Sequence, residues 1–579
     1  MTNRTRSSNY LILLGSLGGV GIALAISTLP AAPPPTHASP SQDRRPEDSP
    51  SAKAVEPAPP LFEGLDASGR KITTSSAQAQ QYFDQGLGFL YAFNHDEAIR
   101  SFREAARLDP QCAMAWWGVA LANGPHINNP VLPEHRARAA WQAWTEASRH
   151  AASGSAVERA LIEALRARYA DPPPEDRQQL DEAYAGAMRR VWQQHSGDAD
   201  VGALFAEALM DLRPWDLYTQ DGQAQPGTDE VVATLERVLA LAPRHPLALH
   251  LYIHAVEAST DPGRADDEAD RLRDLLPGLG HLVHMPSHID VRRGRWREAL
   301  AANEKAIRAD ERYHSRSPQQ DFYRLYMAHN RHMLTYAAMM RGQSELAVSS
   351  INAMVREIPE SWLRENASFA DGFAAMPLEV LVRFGRWDEV LAASEPADYL
   401  PFSRAMWRCA RGIAYAARGD VVRARAEQEA FARARAALPA DARFGNNAVA
   451  DLMGVAEHLL DGEIRYRAGE VEAGLAALRE AVRREDLLRY DEPPDWIHPV
   501  RHALGAFLLQ EQRYGEAEQV YRADLARLPE NGWSLFGLGR SLRLQGKTDE
   551  AATWEARFRD VWRDADVNIT SSCLCQPAQ

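Results

Sequence analysis

Nine of the eighteen histidines fall between residues 245 and 332, where even scatter would place about three. In the stretch HLVHMPSHID, His281, His284 and His288 are spaced by three and four residues, so a helix would carry all three on one face. His250 and His254 in HLYIH keep the same kind of spacing, as do His329 and His332. Imidazole is the commonest metal ligand in proteins. Seven such groups on neighbouring helices suit a Zn, Cu or Ni shell with bonds of about 2 Å. Glu257, one turn beyond His254, is placed to be a carboxylate ligand, the acceptor that fixes a histidine tautomer, or a general base; its plainer reading is a solvated helix acid. HLYIH lacks the glutamate of HExxH, so a zincin protease is not implied.

The elements that must position these residues are amphipathic helices. QQYFDQGLGFLYAFNHDEAIRSFREAARLDP has small or apolar residues at Tyr82, Gly86, Phe89, Ala98, Phe102 and Ala105 and a stop at Pro110, which predicts two helices joined by a turn. The same grammar returns in GRWREALAANEKAIRAD, GQSELAVSSINAMV, GDVVRARAEQEAFARA, GEVEAGLAALREAV, YGEAEQVYRADLARLP and GKTDEAATWEARF. This spacing resembles the tetratricopeptide repeat, about 34 residues of helix, turn, helix. The likeness covers roughly residues 76 to 565 and implies an all-α, right-handed superhelix, an α-solenoid of about nine to eleven repeats. The pattern also resembles a group of uncharacterised bacterial exported repeat proteins, which brings no activity with it.

The repeat register aligns the histidines. From 250 to 284 and from 254 to 288 the distance is 34 residues; from 281 to 329 and from 284 to 332 it is 48, one repeat plus the 14-residue insertion HSRSPQQDFYRLYM. In proteins with this repeat those positions line the concave groove, so the resemblance implies a groove whose centre is histidine-rich. Tyr336 falls on the same stripe, and His502, with His498 one turn earlier, joins it several repeats later. Three readings follow. The leading one is a scaffold that binds a peptide or protein partner in the groove, with a transition-metal site at His250, His254, His281, His284, His288, His329 and His332. The alternatives are a metal-dependent hydrolase or oxidase with Glu257 as the candidate catalytic group, and a groove that holds an anion with help from Arg292, Arg331 or Tyr336.

Other features carry less. The insertions at 123–136 and 211–230 lengthen connections on the side expected to border the groove. Asn123, His126, Asn128 and Asn129 read as an ordinary turn rather than a lid. SSCLCQPAQ places Cys573 and Cys575 on a tail, a soft pair for Cu(I) or disulfide exchange if the tail has a role at all. SLRLQGKT has Ser541 where a phosphate loop needs glycine.

Hydrophobic residues make up 45% and charged residues 25% of the 579, as in a globular protein. A net charge of −14, with basic residues interleaved among acidic ones, disfavours nucleic acid as a partner. Arg4 and Arg6 precede an uncharged run from Leu11 to Leu29 and a small-residue site before Ser39, which predicts export. The product is then periplasmic or secreted, or held at the inner membrane if residues 11–29 stay as an anchor. The expected organisation is a signal or anchor (1–38), a Pro/Ser-rich flexible tether (39–75), an N-terminal repeat region with the histidine groove (76–345), a C-terminal repeat region (346–565) and a flexible tail (566–579).

Overall fold

The computed structural model describes residues 58–66, 69–318 and 321–575. The expected export segment, including 11–29, lies outside the described residues, as does most of the expected tether; among the described residues no helix is long and apolar enough to cross a membrane. Helices follow one another in antiparallel pairs, such as Ala77–Tyr91 with His95–Leu108, Val449–Arg467 with Val471–Asp486, and Val500–Gln510 with Tyr514–Arg527. A two-residue ribbon, Arg443–Phe444 against Asn447–Ala448, is the only ladder of strands among the described residues. The chain is an all-α solenoid of stacked helix pairs.

Small residues let the pairs stack. Phe102 sits between Gly86 of its own repeat and Gly118 of the next, and a Cβ on either glycine would lie 2.6 Å from its ring. Tyr521 repeats the arrangement between Gly505 and Gly537, where a Cβ would meet the ring at 2.4 and 2.1 Å. Overpacking of this kind costs about 1–3 kcal/mol or more because the ring has a helix on both sides. Gly537→Ala should therefore lower the unfolding free energy by at least that much, measured by urea denaturation, whereas Gly515→Ala, with nothing near its Cβ, should not.

Glycine also closes the turns within pairs, as at Gly419 (φ 79°) and Gly469 (φ 84°). In the first repeat that role falls to Phe93 at φ 56°. A non-glycine held there is strained by about 1 kcal/mol or more, and persists where its surroundings require it.

Two expected flexible segments are packed where they are described. Phe62 rests on Phe89 at 5.2 Å, Thr73 bonds Glu158 through N–H and hydroxyl (2.7 and 2.6 Å), and Arg70 bridges Asp198 and Asp200, so the body takes up residues expected in the tether. At the other end Ser572 donates to the His502 carbonyl (2.8 Å) and accepts from Arg383 through its own carbonyl (2.8 Å), and Cys573 and Cys575 are buried as a disulfide. The tail pairs polar groups that the helices leave open, which is why it is not free. Ending the chain at residue 570 should destabilise it by about 1–3 kcal/mol, seen as a lower melting temperature, because buried Arg383 loses an acceptor.

The C-terminal part of the repeat array meets its middle. Trp296 donates to the Pro529 carbonyl (2.8 Å), Arg489 pairs with Asp216 (3.0 Å), and Arg292 lies over the Tyr490 ring at 5.4 Å. The connection after Val471–Asp486 therefore folds over the helices that carry the histidines.

Candidate metal centre

The histidines sit on four neighbouring helical segments. Pro246–Val256 carries His250 and His254; its start is fixed by Pro246 and by His245, whose Nδ1 accepts the Ala248 N–H (3.2 Å). Gly280–His284 and Pro286–Arg293 carry His281, His284 and His288, with Pro286 dividing them because it has no N–H to continue the helix. Arg324–Met340 carries His329 and His332.

These side chains do not line an open stripe. His250 and His284 are 0% exposed, and His281 and His288 1%. The register was legible in sequence, but the closure of the array over it was not, so the expected peptide-lining groove is an interior cluster at this place.

Hydrogen bonds fix most of the tautomers. His250 Nδ1 donates to the Tyr91 carbonyl at 2.7 Å. Glu257 accepts from His254 Nδ1 on one oxygen (2.8 Å) and from His288 Nδ1 on the other (2.5 Å). Asn303 gives its amide N–H to the Ala299 carbonyl (2.8 Å), which leaves its oxygen to accept from His284 Nδ1 (2.7 Å). With each Nδ1 occupied as a donor, the neutral rings carry their lone pairs on Nε2.

Those Nε2 atoms converge. His284 Nε2 and His288 Nε2 are 2.8 Å apart, with His329 Nε2 3.5 Å from the latter. Two lone pairs at that distance repel unless a cation lies between them. On the neighbouring side, His250 Nε2, His254 Nε2 and both nitrogens of His281 are buried without a hydrogen-bond partner. Buried polar atoms in that state are rare and costly. His284, His288 and His329 form one set of potential ligands and His250, His254 and His281 another, with the donor atoms of each set within 4.8 Å of one another.

Electrostatics agree with the bonding. Burial alone would raise the Glu257 carboxyl, but His288 and His254 outweigh it and bring it down to about 2. Burial opposes a charge on His288, but Glu257 more than offsets it and raises this imidazole above its ordinary range. Burial, then the like charge of neighbouring histidines, holds His281 well below that range; burial does the same for His250 and His284.

Four expected site residues lie elsewhere or do something else. His332 is buried near Phe373, with ring centroids 6.4 Å apart, and belongs to neither set. His502 joins Arg383 (2.9 Å) to Asp524 (3.0 Å) in the C-terminal core, a structural link between helices. Glu257 has both oxygens engaged by histidines, which makes it an orienting group rather than a free base. Tyr336 is buried with its hydroxyl unpartnered and lines the cavity described below.

Other residues close the site. Phe93, on its strained turn, packs its ring 4.4 Å from His250 and 4.5 Å from His126. Trp215, also left-handed at φ 55°, stands edge-on to His254 at 5.5 Å and donates to Asn128 (3.1 Å). The loop expected to be a plain turn thus supports the site, with buried His126 packed at a tilt against His95 at 4.3 Å. Tyr326, from the insertion before His329, covers His281 at 4.3 Å. Tyr490 donates to Glu257 (3.4 Å) and to Glu492. The sequence signal for the last two was DEPPDWIHP, an unusually Pro-rich break between helices.

A cavity of about 740 Å³ reaches this centre, with His254, Glu257, Trp215, Arg292, Tyr490 and Glu492 among its walls. Glu492 has one oxygen unpartnered, and burial raises its carboxyl to about 7 despite the attraction of His288.

No protein-family model and no curated protein matches the chain. Among solved structures it is similar to the human IFIT1 dimer with PPP-AAAA, at 12% identity over 88% of this chain and 97% of that one, with a TM-score of 0.29. Yeast Tom70 is similar at 10% identity over 83% and 93%, with a TM-score of 0.28. The Cut9–Hcn1 hetero-tetramer of APC/C gives 11% over 84% and 74%, also at 0.28. Likenesses at this level carry no argument about partners, nucleic acid included, and the repeat assignment stands on the chain's own helix pairs.

Proposed function

We propose that this chain is an exported metalloprotein in which a helical-repeat scaffold holds a transition metal at His284, His288 and His329, beside a cavity sized for a small ligand. The observation that carries the reading is the facing pair of Nε2 atoms at 2.8 Å, with their Nδ1 atoms already bonded to Asn303 and Glu257. A proton on His288 satisfies that pair in the metal-free chain; a metal replaces it and engages His329 as well. All-imidazole donors suit Cu, Zn or Ni. Metal addition to purified protein should give tight binding and release up to about one proton at neutral pH. His284→Gln/His329→Gln should abolish both while circular dichroism stays helical. Native protein that takes up no Zn, Cu or Ni, and whose melting temperature does not respond to them, would refute the reading. Export is tested separately by cell fractionation and N-terminal sequencing.

The cavity supports a second reading, a metal-dependent hydrolase or oxidase in which Glu492, not Glu257, carries the proton. Metal-loaded protein tested on aryl ester, aryl phosphate and catechol probes should turn over at least one, and Glu492→Gln should lose that turnover without losing metal. Inactivity on every probe class counts against an enzyme of these types.

A further inference from the structure

We infer that the site is dinuclear, with His250, His254 and His281 holding a second transition metal beside the first. The inference rests on the metal reading above but on different atoms.

His250 and His254 each spend Nδ1 on a fixed acceptor, the Tyr91 carbonyl and Glu257, and each leaves Nε2 buried and unpartnered. His281 has neither ring nitrogen bonded although it is 1% exposed. Three neighbouring rings in this state are costly as plain core packing, because buried polar atoms without a partner are rare in folded proteins. Their ring centroids are 5.0 Å (His250–His254) and 4.9 Å (His250–His281) apart. The donor atoms lie within 4.8 Å of one another, and bonds of about 2 Å in a tetrahedral shell need a donor spacing of about 3.3 Å.

The two sets share one support. Glu257 holds His254 of one set and His288 of the other through its two oxygens, so a single carboxylate orients a ligand for each metal. The sets also adjoin at His281 and His284, whose rings stack 5.8 Å apart. Phe93 supports the same conclusion from the other side. Its backbone is held left-handed and its ring covers His250, with His254 and His281 at 6.5 and 5.9 Å. The apolar ring against His250 offers its unpaired Nε2 no hydrogen-bond partner, which leaves that lone pair for a metal. His254 also lines the cavity, so the second metal is the one nearer to an incoming ligand.

The test is stoichiometry, with Cu(II) and Co(II) as probes on the full chain. Native protein should bind two equivalents. His250→Gln/His281→Gln and His284→Gln/His329→Gln should each retain one, and the Cu(II) paramagnetic resonance signal of the native protein should weaken or broaden between one and two equivalents as the ions couple. One equivalent in native protein, unchanged by His250→Gln/His281→Gln, overturns the second site and leaves the first standing. Zero equivalents overturns both. If a double variant does not fold, the native stoichiometry and the resonance titration decide alone.

Discussion

Glu257→Gln protein should bind one metal tightly where the native chain binds two. The carboxylate accepts an N–H from His254 on one oxygen and from His288 on the other. Glutamine has the same shape but one acceptor and one donor, so one of the two histidines faces an N–H. That imidazole either keeps its tautomer against an unpaired donor, at about 1–3 kcal/mol, or moves its proton to Nε2 and ceases to be a ligand. In either case the triad it serves loses affinity by roughly 10- to 100-fold, the usual effect of removing a ligand's orienting partner. Calorimetric metal titration and elemental analysis measure this directly. Two equivalents at native affinity in the variant would show that Glu257 does not set the tautomers.

Acid should destabilise the metal-free protein steeply. Burial lowers His332 to about 4 and His95 to about 3, and holds His250, His281 and His284 well below the ordinary 6.5. For a base whose folded pKa is lowered, the unfolded chain binds the proton first. Stability is therefore complete above the unfolded value of about 6.5 and is lost as pH falls toward the folded value. For His332 and His95 this amounts to about 2 kcal/mol of loss each by pH 5, and the other buried imidazoles act in the same direction. His288 is shifted the other way, so its contribution is present below about 6.5 and fades as pH rises past its folded value. Glu257, lowered from 4.5 to about 2, keeps its contribution above about 4.5 and loses it only as pH falls through 2. The net expectation is a loss of several kcal/mol between pH 7.5 and 5, read by urea denaturation in chelator. Equal stability at the two pH values would mean that these imidazoles are solvated.

Much of the scaffold was legible because its causes are local. The Gly86, Ala98 and Phe102 pattern is a packing rule that repeats, and helix pairing follows from it. The histidine register was legible for the same reason, since 34-residue spacing places residues in one row whatever they do. What the sequence did not show is how far the array curves. Contact between Trp296 and Pro529, or between Arg292 and Tyr490, joins residues roughly 200 apart in the chain, and no periodicity encodes it. That closure turns a groove into an interior, brings Glu492 to the site, and leaves His502 in a separate core. His126 was hidden for a different reason: Asn, Gly and Pro around it are what any turn uses, and its burial depends on Phe93 and His95 from the first repeat.

The most direct measurement is X-ray absorption at the metal edge of protein purified whole and loaded to saturation with Cu or Zn. The predicted spectrum has a first shell of about three nitrogens near 2.0 Å per metal with the outer-shell scattering of imidazole rings. It should lose that scattering in His284→Gln/His329→Gln/His250→Gln/His281→Gln. A first shell of oxygen or sulfur without imidazole scattering, or no bound metal to observe, would contradict it.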